Sequence, residues 1–307
     1  MLNVRRLSVR YGEGDAVVRD VDFDLGPGAT LGLLGASGAG KSALLTTVFG
    51  LAPPDARIGG SVYFAGRPWL ALTPRERARL HGDRLAMLPQ HPMQALHPHR
   101  RIGAQLSEVL QQHRGLSREA AHRQVLARLR PLYLPDTERL LCAYPHQLCD
   151  EIRYRLLLAM ALLCRPRLLL IDEPGAGLDA SARARLLALL REVRVREDLA
   201  LLLASRDPRI LATLCGTAAV LAQGGVVEQG PMCELLRRAQ HPVTRRLLRA
   251  TPGLKADWLR RTRWQGGLRR VSPDRPAGCA GDAPAGAVSG DCRRAGAAHR
   301  VLALATD

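Results

Sequence analysis

Residues 35–42 have the composition and spacing of a phosphate-binding loop. They read Gly35-Ala-Ser-Gly-Ala-Gly-Lys41-Ser42 and match the pattern G-x-x-x-x-G-K-[ST], the Walker A motif. Small residues let backbone amides converge on phosphate oxygens, while Lys41 reaches the β- and γ-phosphates and the Ser42 hydroxyl can ligate Mg²⁺. The alternative is a glycine-rich turn that holds a lysine by chance. The other positions predicted to contact the phosphates are Gly35, Ala36, Ser37, Gly38, Ala39 and Gly40.

The flanking residues predict the elements that such a loop requires. Residues 29–34 indicate a short buried strand, and residues 42–49 indicate a helix that ends at Gly50. The amino terminus of that helix would add partial positive charge beside the phosphates. Strand, loop and helix therefore follow one another in the order that phosphate binding needs.

Two acidic residues end a second apolar run, Leu168-Leu-Leu-Ile-Asp172-Glu173. Any buried parallel strand that ends in a polar loop would give this pattern. Because a phosphate-binding loop precedes it in the chain, the pattern favours a Walker B strand, in which Asp172 holds Mg²⁺ through water and Glu173 polarises the attacking water. Residues 85–90 predict another strand, whose end presents Gln90.

The order of apolar patterns predicts an α/β fold. Residues 2–30 alternate in a strand-like way and predict a small antiparallel β subdomain, whereas residues 101–165 predict helices, with Ser117 as one N-cap. Strand and helix alternate on both sides of this helical insertion, which favours a mostly parallel sheet. The predicted organisation is a nucleotide-binding domain over 1–252, with the helical subdomain inserted at 95–165. The Gly-, Ala-, Arg- and Pro-rich tail, 253–307, is expected to be disordered.

The composition argues against several classes of protein. A chain of 307 residues with 47% hydrophobic residues can bury a large core, yet its apolar runs are far shorter than the ~20 residues of a membrane-spanning helix. The first residues do not predict a signal peptide. The net charge of +17 favours acidic partners. Aromatic residues are only 4%, however, and no basic stripe is interleaved with them, so nucleic-acid binding is not expected.

The seven cysteines are scattered along the chain and include no C-x-x-C pair. This usage predicts reduced thiols rather than a disulfide scaffold or a zinc site. Cys279 and Cys292, in the tail, lack the closer spacing of a metal or cluster site.

The motifs together resemble those of ABC transporter ATP-binding subunits, from residue 2 to near residue 250. The resemblance implies a P-loop NTPase (RecA-like) core. It rests on the Walker A loop, Gln90, Tyr144-Pro-His-Gln-Leu148, Asp172-Glu173-Pro174 and Gly177-Leu-Asp179. Residues 90–98, 144–147 and 241–248 resemble the peptide and nickel importer branch, although Val243 stands where tyrosine is usual.

The resemblance also implies cofactors, roles and partners. ATP and Mg²⁺ would be bound, Gln90 would touch Mg²⁺ and the attacking water, and Tyr11 would stack on adenine, although ordinary packing explains a lone strand tyrosine equally well. A second ATP-binding subunit would pair head to tail with this one. Two integral membrane permease subunits and, indirectly, an extracytoplasmic substrate-binding protein would complete the assembly. The chain would lie peripherally on the cytoplasmic face of the cell membrane.

Two positions depart from the family pattern. After Leu148 the family has Ser-Gly-Gly, which binds the γ-phosphate of ATP on the other subunit, whereas this chain has Cys149-Asp150-Glu151. Two carboxylates there are expected to repel a triphosphate, and they also suit the amino terminus of the helix that follows. Arg206 stands where the family has a switch histidine. It can donate to a γ-phosphate oxygen but cannot act as a neutral imidazole that orients water.

Three functions are compatible with these residues. The first is an ATPase subunit that energises an importer of peptides, nickel or metal chelates. The second is a degenerate nucleotide-binding module with a structural or regulatory role and little hydrolysis. The third is a soluble ABC protein that acts on nucleic acid or ribosomes, but those proteins usually carry two cassettes and this chain has one. An ATPase assay, alone and with the partner subunit, separates the first two.

Overall fold

A computed structural model of the chain describes residues 1–90, 95–251, 254 and 300–301. The strands are β1 (Leu2–Tyr11), β2 (Ala16–Leu25), β3 (Thr30–Leu34), β4 (Ala56–Phe64), β5 (Arg67–Pro68), β6 (Leu85–Leu88), β7 (Leu168–Asp172), β8 (Ala200–Ser205), β9 (Thr217–Ala222), β10 (Gly225–Pro231) and β11 (Arg300–Val301). The helices are α1 (Lys41–Phe49), α2 (Pro74–Leu80), α3 (Ile102–Arg114), α4 (Arg118–Leu129), α5 (Thr137–Cys142), α6 (Asp150–Leu162), α7 (Ala180–Arg196), α8 (Pro208–Leu214), α9 (Met232–Arg238) and α10 (Pro242–Arg249).

The strands form two sheets. The smaller has the order β2-β1-β4-β5 and is antiparallel, as the alternation near the amino terminus predicts. The larger has the order β11-β10-β9-β3-β8-β7-β6, in which β9, β3, β8, β7 and β6 run parallel to one another. Strands β10 and β11 add to its edge in the antiparallel sense. The carboxyl ends of the parallel strands therefore meet at one edge.

Both faces of the parallel strands are buried, which explains their continuous apolar sequences. Along β7, Leu168 and Leu170 pack into a core shared with the small sheet and α1, while Leu169 and Ile171 face a second core built with the helices. The side chains of a strand alternate between its faces, so one run of leucines serves both cores.

Helices α3 to α6 lie between β6 and β7 in the chain, where the sequence predicts a helical insertion, and the described residues of that stretch contain no strand. The Ser117 hydroxyl accepts from the Ala120 amide, which confirms the predicted N-cap of α4. Thr73 and Glu76 form a capping box at α2, with Pro74 in the first position of the helix. The domain boundaries themselves remain a prediction.

The structure also differs from the sequence analysis. Cys233 is disulfide-bonded, so the prediction of reduced thiols is wrong at this residue. Four other cysteines are free, namely Cys142, Cys149, Cys164 and Cys215. The tail that we expect to be disordered, with Cys279 and Cys292, lies outside the described residues except for Leu254 and the two residues of β11. Among the described helices, none is long and apolar enough to cross a membrane.

Candidate nucleotide-binding site

The Walker A loop connects the carboxyl end of β3 to the first residue of α1, as predicted. The Lys41 ammonium is buried beneath this loop, and its Nζ atom lies 2.9 Å from the carbonyl oxygens of both Gly35 and Ala36. Burial lowers the pKa of Lys41, against the opposing charges of Glu173 and Asp172. The lysine is thus held in place by the backbone of the loop that it serves.

Gly40 precedes α1 in a left-handed conformation, with φ of 94°. A Cβ atom at this position would overlap the carbonyl oxygen of Val17 in β2. Gly38 is also left-handed, with φ of 78°, but no atom lies within 4 Å of where its Cβ would be. Gly40 therefore lets the loop pass directly beside the small sheet.

This difference gives a stability prediction. Gly38→Ala should lower the free energy of unfolding only by the cost of a left-handed alanine, about 1–2 kcal/mol. Gly40→Ala adds the clash with Val17 as well and should lower the free energy of unfolding by about a further 1–3 kcal/mol. Urea unfolding of the two variants measures the difference. Equal losses would contradict this account of the loop.

The carboxylate of Glu173, directly after β7, is held by the segment that follows β8. Its Oε2 atom accepts from the Ser205 hydroxyl at 3.1 Å, and its Oε1 atom accepts from the Arg206 backbone amide at 2.9 Å. Lys41 Nζ lies 3.9 Å from the same Oε1 atom. The main chain at Arg206, rather than its side chain, therefore positions the Glu173 carboxylate.

Asp172 is buried at the carboxyl end of β7, and its Oδ1 atom has no hydrogen-bond partner among the described residues. An unpaired buried carboxylate oxygen is costly unless water or a cation reaches it. Its negative charge acts on Lys41, which places it beside the Walker A loop. This carboxylate, the Ser42 hydroxyl and the Gln90 amide carry the kind of oxygen atom that Mg²⁺ prefers, and their assignment as its ligands stays a prediction.

Most of the predicted site residues line one cleft at the carboxyl edge of the parallel sheet. Residues 37–42, Gln90, Glu173 and Arg206 all line it. Tyr11 is not among the lining residues and is half-buried against the core, so its contact with adenine stays a prediction. Val17 and Ala43 also line the cleft, and the sequence analysis missed both. Val17 lies on β2, and no local pattern connects it to the loop.

A larger cleft lies at the other end of the parallel strands. It has a volume of about 820 Å³ and is lined by residues that precede β3, β6, β7 and β8, including Gly28, Arg84, Arg167 and Asp198. Ligands of open α/β sheets bind at the carboxyl ends of the strands. The smaller cleft, which holds the motif residues, is therefore the candidate site.

Comparisons with known proteins agree with this geometry. Residues 18–176 match the family model described as "ABC transporter". The chain is 36% identical over 260 residues to the oligopeptide transport ATP-binding protein OppD of Escherichia coli, which covers 84% of this chain and 77% of that protein. The chain belongs to the ABC transporter family.

Further relatives and solved structures support this assignment. The dipeptide transport ATP-binding protein DppD of Bacillus subtilis is 35% identical over 259 residues, covering 83% of this chain and 77% of that protein. The ABC cassette cbiO1 of Clostridium perfringens superposes with a TM-score of 0.68 at 22% identity over 88% of this chain and 98% of its own. The cassette MJ0796, solved as a post-hydrolysis dimer with ADP and Pi, superposes with a TM-score of 0.67 at 22% identity, over 76% of this chain and 99% of its own. This chain is thus an ABC-type ATPase with the P-loop NTPase fold.

In this ABC cassette, Cys149-Asp150-Glu151 stands in place of the family's Ser-Gly-Gly signature, and the acidic residues of this altered signature segment are ion-paired. Both oxygens of Glu151 accept from Arg185 of α7, at 3.0 and 2.7 Å, and Arg155 Nη2 lies 2.6 Å from its Oε1 atom. Hydrogen bonding from Arg185 lowers the pKa of Glu151. Asp150 lies 3.2 Å from Arg153. Three guanidinium groups therefore contact the two carboxylates and offset part of their charge, while the repulsion of a triphosphate by this segment stays a prediction.

Cys149 is the N-cap of α6 and makes no side-chain capping bond, while Asp150 and Glu151 occupy the first turn of that helix. Acidic residues favour this position because they face the positive end of the helix dipole. The expectation that they suit the helix start is therefore confirmed. The glycines that would allow close backbone approach to a second nucleotide are still missing.

Proposed function

We propose that this ABC ATPase energises an importer of peptides, on the cytoplasmic face of the cell membrane. It works with a second ATP-binding subunit and two integral membrane permease subunits, and an extracytoplasmic binding protein delivers the cargo. The names of the OppD and DppD relatives support peptides as the cargo. Nickel or metal chelates are the other cargoes that the resemblance suggests.

The residues of the cleft have distinct roles in this proposal. Lys41 and the backbone amides of the Walker A loop bind the β- and γ-phosphates of ATP. Ser42, Asp172 and Gln90 would hold Mg²⁺, which when bound neutralises charge on the phosphates. Glu173 accepts a hydrogen bond from the attacking water, and Ser205 and the Arg206 amide keep its carboxylate in position. The Arg206 guanidinium contributes a second cation.

The observation that carries the proposal is the cleft that is lined by residues 37–42 of the Walker A loop together with Gln90 and Glu173. Uptake of labelled peptides by proteoliposomes that hold the complete complex tests it. We expect uptake to require ATP and to be lost when this subunit carries Lys41→Ala. Uptake that continues unchanged with that variant would contradict the proposal.

A mixed dimer of this chain and the second ATP-binding subunit would contain two composite sites, each built from the Walker A loop of one subunit and the signature segment of the other. These two sites should be unequal. The site at this chain's Walker A loop lacks only the switch histidine, whereas the site at the partner's loop receives Cys149-Asp150-Glu151. Restoring Ser-Gly-Gly at 149–151 should raise turnover at the partner's loop, and Arg206→His should raise it at this chain's loop. Each recovered contact is worth roughly 2–4 kcal/mol, so tenfold gains or more are expected.

These reversions need separate controls. Arg206→His leaves the backbone bond to Glu173 intact, and Arg118→His, on the exposed start of α4, is its matched control. Removal of Glu151 leaves the largely buried Arg155 side chain without its carboxylate, so thermal unfolding of the triple variant must be measured alongside turnover. If the folded variants do not change the ATPase rate of the mixed complex, the assignment of the two unequal sites is wrong.

A further inference from the structure

Tyr154 of α6 brings three segments of the nucleotide site together through one hydroxyl group. Its side chain is buried, with only 2% of the residue exposed, in the core between the helices and the large sheet. Its hydroxyl donates to the carbonyl oxygen of Gln90 at 2.7 Å. Gln90 follows β6 and lines the nucleotide cleft, so a residue of the helical insertion holds the main chain of a cleft residue.

The backbone of the loop that follows Glu173 also acts on this hydroxyl. Burial raises the pKa of Tyr154 to about 12, against the opposing effect of the backbone at Ala176 and Gly175. Ala176 also donates its amide to the Glu173 carbonyl oxygen at 3.1 Å, so this loop is directly connected to the carboxylate residue.

The third segment is α6 itself, which begins at the altered signature positions. We propose that Tyr154 is a positioning residue that fixes the main chain at Gln90 and the loop after Glu173 to α6. A shift of α6 then moves Gln90 and Glu173 together, which keeps the two groups in the arrangement that hydrolysis requires. The side chain itself does not line the cleft, so it acts only through these neighbours. The inference rests on the proposed roles of Gln90 and Glu173.

Tyr154→Phe tests this, because it removes one oxygen atom and leaves the ring in the core. In the full chain, hydrogen exchange followed by mass spectrometry should show faster exchange in the peptide that spans residues 173–178. Loss of one hydrogen bond corresponds to an increase of up to about tenfold. Exchange in β3 and the calorimetric affinity for ATP should stay unchanged. The matched control is Tyr133→Phe, which removes an exposed hydroxyl that donates to Glu192 at 3.3 Å.

Turnover provides the second readout. In the complex with the second ATP-binding subunit, Tyr154→Phe should lower kcat up to about tenfold and leave KM unchanged. Unchanged exchange at 173–178, or exchange that rises equally throughout both cores, would overturn the inference, because the tyrosine would then serve packing alone. If Glu173→Gln keeps full turnover, the proposed function fails. If Glu173→Gln loses turnover while Tyr154→Phe changes neither exchange nor kcat, only this inference fails.

Discussion

Lys41→Ala is expected to weaken ATP binding about tenfold or more. Its ammonium lies beneath the Walker A loop and is fixed by two carbonyl oxygens of that loop. The variant removes the one buried cation of the cleft and leaves the carboxylates of Asp172 and Glu173 uncompensated beside the incoming phosphates. Calorimetric titration of the full chain with ATP measures the loss.

Two controls make this result interpretable. Arg118→Ala removes one positive charge from the exposed start of α4, far along the chain from the Walker A loop, and should leave ATP affinity unchanged. Thermal unfolding of both variants shows whether the loop without its lysine is still folded. An unchanged affinity in folded Lys41→Ala would rule out the assigned phosphate site.

Glu173→Gln is expected to reduce ATP turnover in the mixed complex about 100-fold or more and to leave ATP binding intact. The amide keeps the size of the side chain but cannot accept a proton from the attacking water. The Arg206 amide can still donate to the remaining amide oxygen, and the Ser205 hydroxyl can accept from the new NH2 group instead of donating. The variant therefore separates the chemical role of the group from its position.

The matched control for Glu173→Gln is Glu119→Gln, in the first turn of α4. It makes the same chemical change outside the cleft and should keep the turnover of the unmodified chain. Turnover is measured with saturating ATP so that a change in affinity does not enter. Equal rates for the two variants would show that Glu173 has no chemical role.

Much of the fold could be predicted because local patterns determine it. The leucine runs of β7 and β8 require burial on both faces, and the Ser117 and Thr73 caps mark helix starts. The Walker A spacing likewise fixes the loop between β3 and α1. These signals lie within short stretches of sequence, where composition and spacing are sufficient.

The remaining features depend on contacts between distant residues. Val17 lies on β2 of the small sheet, yet its carbonyl oxygen is next to Gly40 in the loop that follows β3 of the large sheet. Glu151 contacts Arg185 only because α6 and α7 lie side by side. No spacing rule predicts either contact. The sequence analysis does not predict the hairpin of β9 and β10, in which Gln223 and Gly224 form the turn in left-handed conformations.

The ATPase rate of the purified chain, measured alone and after addition of the second ATP-binding subunit, tests the central claim most directly. Without the partner, the chain can form only a homodimer, in which both composite sites would contain the altered signature and Arg206. We therefore expect very slow hydrolysis. With the partner, the site at Lys41 gains an intact signature, and we expect faster turnover that Glu173→Gln in this chain reduces. A partner that leaves the rate unchanged, or a stimulated rate that Glu173→Gln does not affect, would contradict the claim that this chain hydrolyses ATP at its own site.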